Sequence, residues 1–129
     1  MVILQFLVVA AAFAVIDSIW LTTMSGFYRS NLGHLMADKP NLGYAVVFYA
    51  IYIAGIVFFA LRPSLDGGSW LSALGYGAAL GAFAYATYDL TNAATLRNWP
   101  LTIIIVDILW GAALTGLATV AGWLVFHRN

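Results

Sequence analysis

Four stretches of this chain are each long and apolar enough to cross a bilayer as a helix, and little is left over between them. The first runs from Val2 to about Met24, broken only by Asp17, and the second from about Asn41 to Leu61 without a charge. The third runs from Ser69 to Tyr88 and ends at Asp89, and the fourth runs from Leu101 to Phe126 and contains Asp107. A hydrocarbon core of ~30 Å needs about 20 apolar residues in helical form. Composition agrees with that reading. Of 129 residues 64% are hydrophobic and 8% charged, whereas a soluble domain carries roughly 25% charged residues to face water. The expectation is an all-α fold, an integral membrane bundle of four transmembrane helices in one domain over 1–129, with helices at about 2–24, 41–61, 69–92 and 101–126.

The breaks carry turn chemistry. Asp38-Lys39-Pro40-Asn41 opens the second helix, and Arg62-Pro63-Ser64-Leu65-Asp66-Gly67-Gly68 is expected to form a tight loop. Arg97-Asn98-Trp99-Pro100 opens the fourth helix, with proline where a helix start tolerates it. Trp70, Trp99, Trp123 and Tyr28 fall near span ends, as interfacial aromatics do. The first run lacks a basic leader and continues past Ala12, which predicts a retained helix rather than a cleaved signal. Between Ser25 and Lys39, the helical spacing of Tyr28, Leu32, Leu35 and Met36 fits a short interfacial helix, with an ordinary loop as the alternative.

Several function classes drop out. With five basic and five acidic residues and no basic stripe, nucleic acid is not an expected partner. The absence of cysteine removes disulfides, thiolate zinc sites and cysteine nucleophiles. Two histidines, His34 and His127, lie outside the apolar runs, so neither a metal site nor a cofactor is expected. Four spans put both termini on one face, side A, with Arg62 and Arg128; side B carries Arg29, Lys39 and Arg97. That cation count does not set the orientation.

The informative residues are the acids within the apolar runs. An Asp at the centre of a membrane helix costs ~2.5–3.5 kcal/mol on insertion scales. Asp17 precedes the end of the first helix, and Asp107 follows the start of the fourth, by about two turns each, which predicts two carboxyls at one depth, ~10 Å inside side B. Asp89 is shallower. Asn41, Tyr44, Tyr49 and Tyr52 of the second helix and Tyr85, Tyr88, Asp89 and Asn92 of the third occupy the same leaflet. The latter four are three or four residues apart and share a helix face. Asp17-x-x-Trp20 and Asp107-x-x-Trp110 repeat one arrangement, with an indole one turn from each carboxyl. The side-A halves are nearly featureless by comparison.

Polar groups in such positions can glue helices together at ~0.6–2 kcal/mol per hydrogen bond, or they can line a cavity open to side B. Glue needs fewer acids, because Asn or Ser costs less than Asp, and no cation is available at the depth of Asp17 and Asp107. The candidate pocket is therefore Asp17, Trp20, Asn41, Tyr49, Tyr52, Tyr85, Tyr88, Asp89, Asn92, Asp107 and Trp110. Separately, Ala73, Gly77 and Gly81 form one ridge of small residues, and Gly111, Thr115 and Thr119 another. Such ridges let helices approach closely, within the bundle or across a homodimer.

Asp17-x-x-Trp20-Leu21, Phe48-Tyr49-x-x-Tyr52-x-x-Gly55, Ala84-Tyr85-x-Thr87-Tyr88-Asp89-Leu90-Thr91-Asn92, Trp99-Pro100 and Asp107-x-x-Trp110-Gly111 span nearly the whole chain. Together they resemble a family of small bacterial membrane proteins known as a domain of unknown function. The resemblance implies a four-helix form in the bacterial inner (cytoplasmic) membrane, and it implies no activity. Tyr88-Asp89 with an Asp in the next helix is also similar to intramembrane aspartyl proteases. Those enzymes carry the second acid in Gly-x-Gly-Asp, however, where this chain has Ile105-Val106-Asp107.

Three functions remain in view. The first is binding or transport of a small molecule, with proton coupling through Asp17 and Asp107 and a homodimer as the transporting unit. The second is a membrane-embedded acid–base enzyme acting on a lipid or isoprenoid-like substrate, using Asp17, Asp89 or Asp107 with Tyr85 or Tyr88. The third is an accessory subunit of a membrane complex.

Overall fold

A computed structural model describes residues 1–128 as four helices with no strand among them: α1 (Val2–Leu32), α2 (Leu42–Leu65), α3 (Trp70–Thr95) and α4 (Leu101–Phe126). Three of them, α1, α2 and α4, have the length and mean hydropathy to cross a membrane. α3 has the length, 26 residues, but its apolarity is diluted by Gly and Tyr, of which Gly77, Gly81 and Tyr85 pack against α4.

Two helices run past the expected ends. α1 continues through Gly26 to Leu32, so the first half of the segment expected as a loop or a separate interfacial helix is instead two further turns of α1, and the rest, from Gly33 to Lys39, is turn and loop. No proline interrupts it before Pro40, and Tyr28, on its extension, packs inward (below). α2 also continues, through Pro63 to Leu65, where a tight loop was expected. The residues before the proline, Val57–Leu61, form a π turn in which the Arg62 amide bonds to the Val57 carbonyl, five residues back. A widened turn of this kind accommodates a proline that a regular α-turn would exclude, because proline has no N–H and its ring crowds the preceding turn.

The remaining boundaries follow their local chemistry. The Asn41 side chain caps α2, accepting from the Gly43 and Tyr44 amides at 3.1 and 3.4 Å. After α2, Gly67 takes φ 77°, a left-handed turn suited to glycine. Ser69 and Ser72 then exchange side-chain and backbone hydrogen bonds in a capping box that starts α3. Asn98, at φ 59°, turns the chain toward Pro100 and α4.

Packing is inverted relative to a soluble protein. Ile3, Val15, Ile19, Val46, Ile51, Phe83 and Leu109 are all more than half exposed, while Ser64, Asp89, Thr115 and Thr119 are fully buried. Such a surface is stable against acyl chains and not against water. The apolar core runs through Val9, Phe13, Ile53, Ile56, Ala60, Leu61, Leu114 and Ala118. α3 and α4 form the closest pair. A methyl group on Gly77 would come within 2.7 Å of the Thr115 carbonyl oxygen and 2.8 Å of the Gly116 Cα. One on Gly81 would strike the Gly111 backbone, and one on Gly111 would strike the Tyr85 ring. The small-residue ridges thus face each other inside the bundle. α1 and α2 touch far less, and a cleft opens between them.

Candidate functional site

The three acids of the apolar runs are all buried, and each is reached by donors from other parts of the chain. Asp17 on α1 accepts from the Tyr49 hydroxyl of α2 at 3.0 Å and from the Trp110 indole N–H of α4 at 3.3 Å. Asp107 on α4 accepts from the Tyr28 hydroxyl at 2.5 Å, and the Trp20 N–H donates in turn to that same phenol oxygen at 3.2 Å. Asp89 on α3 accepts from the Trp99 N–H, in the turn before α4, at 3.3 Å. The other Asp89 oxygen is buried with no donor in reach among the described residues. The Asp89 carboxyl lies close to the Asp107 carboxyl.

These contacts join into one array. Trp20 and Trp110 stack with ring centroids 4.2 Å apart and planes 7° apart. This links the Asp17 half (Tyr49, Asp17, Trp110) to the Asp107 half (Trp20, Tyr28, Asp107, Asp89, Trp99). All four helices contribute. Asp17 and Asp107, expected at one level, share no hydrogen bond among the described residues; their partners meet through the two stacked indoles.

Of the other expected residues, Tyr52 is buried, its hydroxyl 2.7 Å from that of Thr115 on α4, and its ring packs edge-on against Tyr85 and Phe13. Tyr85 and Tyr88 line an aromatic cleft of about 290 Å³ with Phe48 and Ala84. Tyr88 is half exposed, edge-on to Trp99. Asn92 is only partly buried, one turn beyond Asp89. Asn41 stands apart: it is exposed and its side chain is occupied in capping α2, which separates it from the array. Tyr28, Trp99 and Thr115 belong to the polar interior and were not among the expected pocket residues. Tyr28 had a usable signal, since it follows Asp17 by about eleven residues, three helical turns, and so shares its face.

A larger cleft, about 420 Å³, lies between α1 and α2. Phe13, Leu21 and Ile53 form its apolar walls, and Asp17, Ser18 and Tyr49 are its polar groups. A carboxylate has about four lone-pair directions. Tyr49 and Trp110 are the two donors to Asp17 among the described residues, and Asp17 also lines the cleft.

Fold and interior together define a helical integral membrane protein, with lipid against its apolar exterior and carboxyl, phenol and indole groups gathered inside. The chain belongs to the family described as "Predicted membrane protein (DUF2177)", whose model matches residues 2–124. No curated protein and no solved structure matches it.

Proposed function

We propose that the protein binds a small amphipathic molecule within the membrane, with a cationic or hydrogen-bond-donating head against Asp17 and an apolar body along the α1–α2 cleft. The observation that carries this reading is the lining of that cleft, in which Asp17 is the one acidic side chain among otherwise apolar and hydroxyl-bearing neighbours. Its partners there are Tyr49 and Trp110, neither of them a cation. An acid held this way in a membrane is costly unless it meets a partner, and a donor-bearing ligand supplies one. A carrier is the form of this function in which the head exchanges with a proton at Asp17.

Octylamine and 1-octanol, titrated calorimetrically into the protein in nanodiscs against empty nanodiscs, test the reading. The wild type is expected to take up the amine at least about tenfold more tightly than the alcohol, as a charge-assisted hydrogen bond allows. Asp17→Asn is expected to abolish that preference while helicity and melting behaviour are retained. Uptake no greater than that of empty nanodiscs, or an unchanged preference in Asp17→Asn, refutes the proposal.

A further inference from the structure

At the opposite end of the bundle from the carboxyl array lies a second polar feature that the site above does not use. A cavity of about 290 Å³ is bounded by Met1 and Gln5 at the start of α1, Arg62, Leu65 and Asp66 at the end of α2, and Phe126 at the end of α4. Gln5 is only 6% exposed, and its amide oxygen is buried with no hydrogen-bond donor among the described residues. A polar group in that condition is stabilised only when something brings it a proton donor. Beside it, Arg62 and Asp66 are both exposed. They stand one helical turn apart, ~5.4 Å along the axis, and so on one face.

We infer that this cavity is a phospholipid headgroup site selective for a primary phosphoamine: a phosphate diester against Arg62, and the ammonium group two carbons away against Asp66 and the Gln5 amide oxygen. The inference is independent of the Asp17 cleft. One positive and one negative side chain match a zwitterion, whereas an anionic headgroup would leave Asp66 facing a like charge. A quaternary ammonium has no N–H to offer Gln5. The position suits a lipid rather than a soluble compound: all three residues lie within about a turn of helix ends, where arginine reaches headgroups. A second cleft of about 460 Å³ begins at the same Arg62 and Asp66 and extends over Pro63 and Phe58 on the lipid-facing side of α2, a path for an acyl chain.

The test is native mass spectrometry of the full-length protein, purified in detergent and offered equimolar phosphatidylethanolamine, phosphatidylcholine and phosphatidylglycerol with matched acyl chains. Phosphatidylethanolamine is expected to be retained about fivefold over each of the others, the ratio a net hydrogen bond or two provides. Gln5→Leu, which keeps the volume and removes the unmet oxygen, should erase the preference over phosphatidylcholine. Asp66→Asn, at an exposed position where misfolding is not a concern, should weaken it, and Arg62→Gln should lower retention of all three lipids. Equal retention by the wild type overturns the inference, as does a preference that survives both Gln5→Leu and Asp66→Asn. Displacement by an equal concentration of soluble glycerophosphoethanolamine would overturn the lipid assignment in favour of a soluble headgroup compound.

Discussion

Trp20 on α1 and Trp110 on α4 lie face to face with planes 7° apart, and each indole N–H is committed to an oxygen on the side of the array that its own ring joins. The stack bridges the contacts of Asp17 and those of Asp107. Replacing both rings in a double-mutant cycle, Trp20→Leu with Trp110→Leu, should give a coupling of about 0.5–1.5 kcal/mol in detergent unfolding. Additive losses would show the two indoles to be neighbours without interaction.

Tyr28 accepts from Trp20 and donates to Asp107, so its hydroxyl serves two partners. Tyr28→Phe leaves the Asp107 carboxyl short of a donor and is expected to cost about 1–3 kcal/mol. Tyr88→Phe, at a half-exposed position, should stay within about 0.5 kcal/mol. Thermal unfolding of both variants by circular dichroism makes the comparison.

The glycines divide by what surrounds them. Gly81→Ala and Gly111→Ala each push a methyl group into the opposite helix or ring, and about 1–3 kcal/mol of destabilisation is expected for each. Gly75→Ala and Gly26→Ala meet open space and should be neutral or stabilising by up to about 1 kcal/mol, because alanine favours the helix. A melting series of the four variants decides whether α3 and α4 are held by that close approach.

Much of this was legible because a bilayer imposes harsh rules. Four apolar runs, the turn residues between them and the lopsided placement of Asp17, Asp89 and Asp107 can be read directly, since lipid leaves few alternatives for backbone or carboxyl groups. Partnership was less legible. Tyr28 looked like an interfacial aromatic because α1 was expected to stop near Met24, and only the helix's continuation turns it toward Asp107. Asn41 looked like a pocket residue by depth, yet its short side chain is consumed by the backbone two and three residues on. Gln5 gave no signal at all: a single amide in an apolar run reveals its burial only when α2 and α4 are packed around it.

Asp89 is fully buried, with one oxygen bonded to Trp99 and the other lacking a donor among the described residues. Asp89→Asn places an amide N–H₂ beside the Asp107 carboxyl and should be tolerated or mildly stabilising. Asp89→Ala removes the Trp99 acceptor and opens a void, with an expected loss of about 2–4 kcal/mol. Chemical denaturation in mixed micelles ranks the two, and the order Ala above Asn would contradict the role of Asp89 as the acceptor for Trp99.

The π turn at Val57–Leu61 has a consequence for the far end of α2. A helix advances ~100° of azimuth with each residue, so the surplus residue in that turn fixes the compass bearing of everything after it. Deleting one residue there, and so restoring a regular winding, would swing Arg62 and Asp66 by roughly a quarter of a circle. Their charges would then point away from Gln5, although not one of those three side chains had been altered.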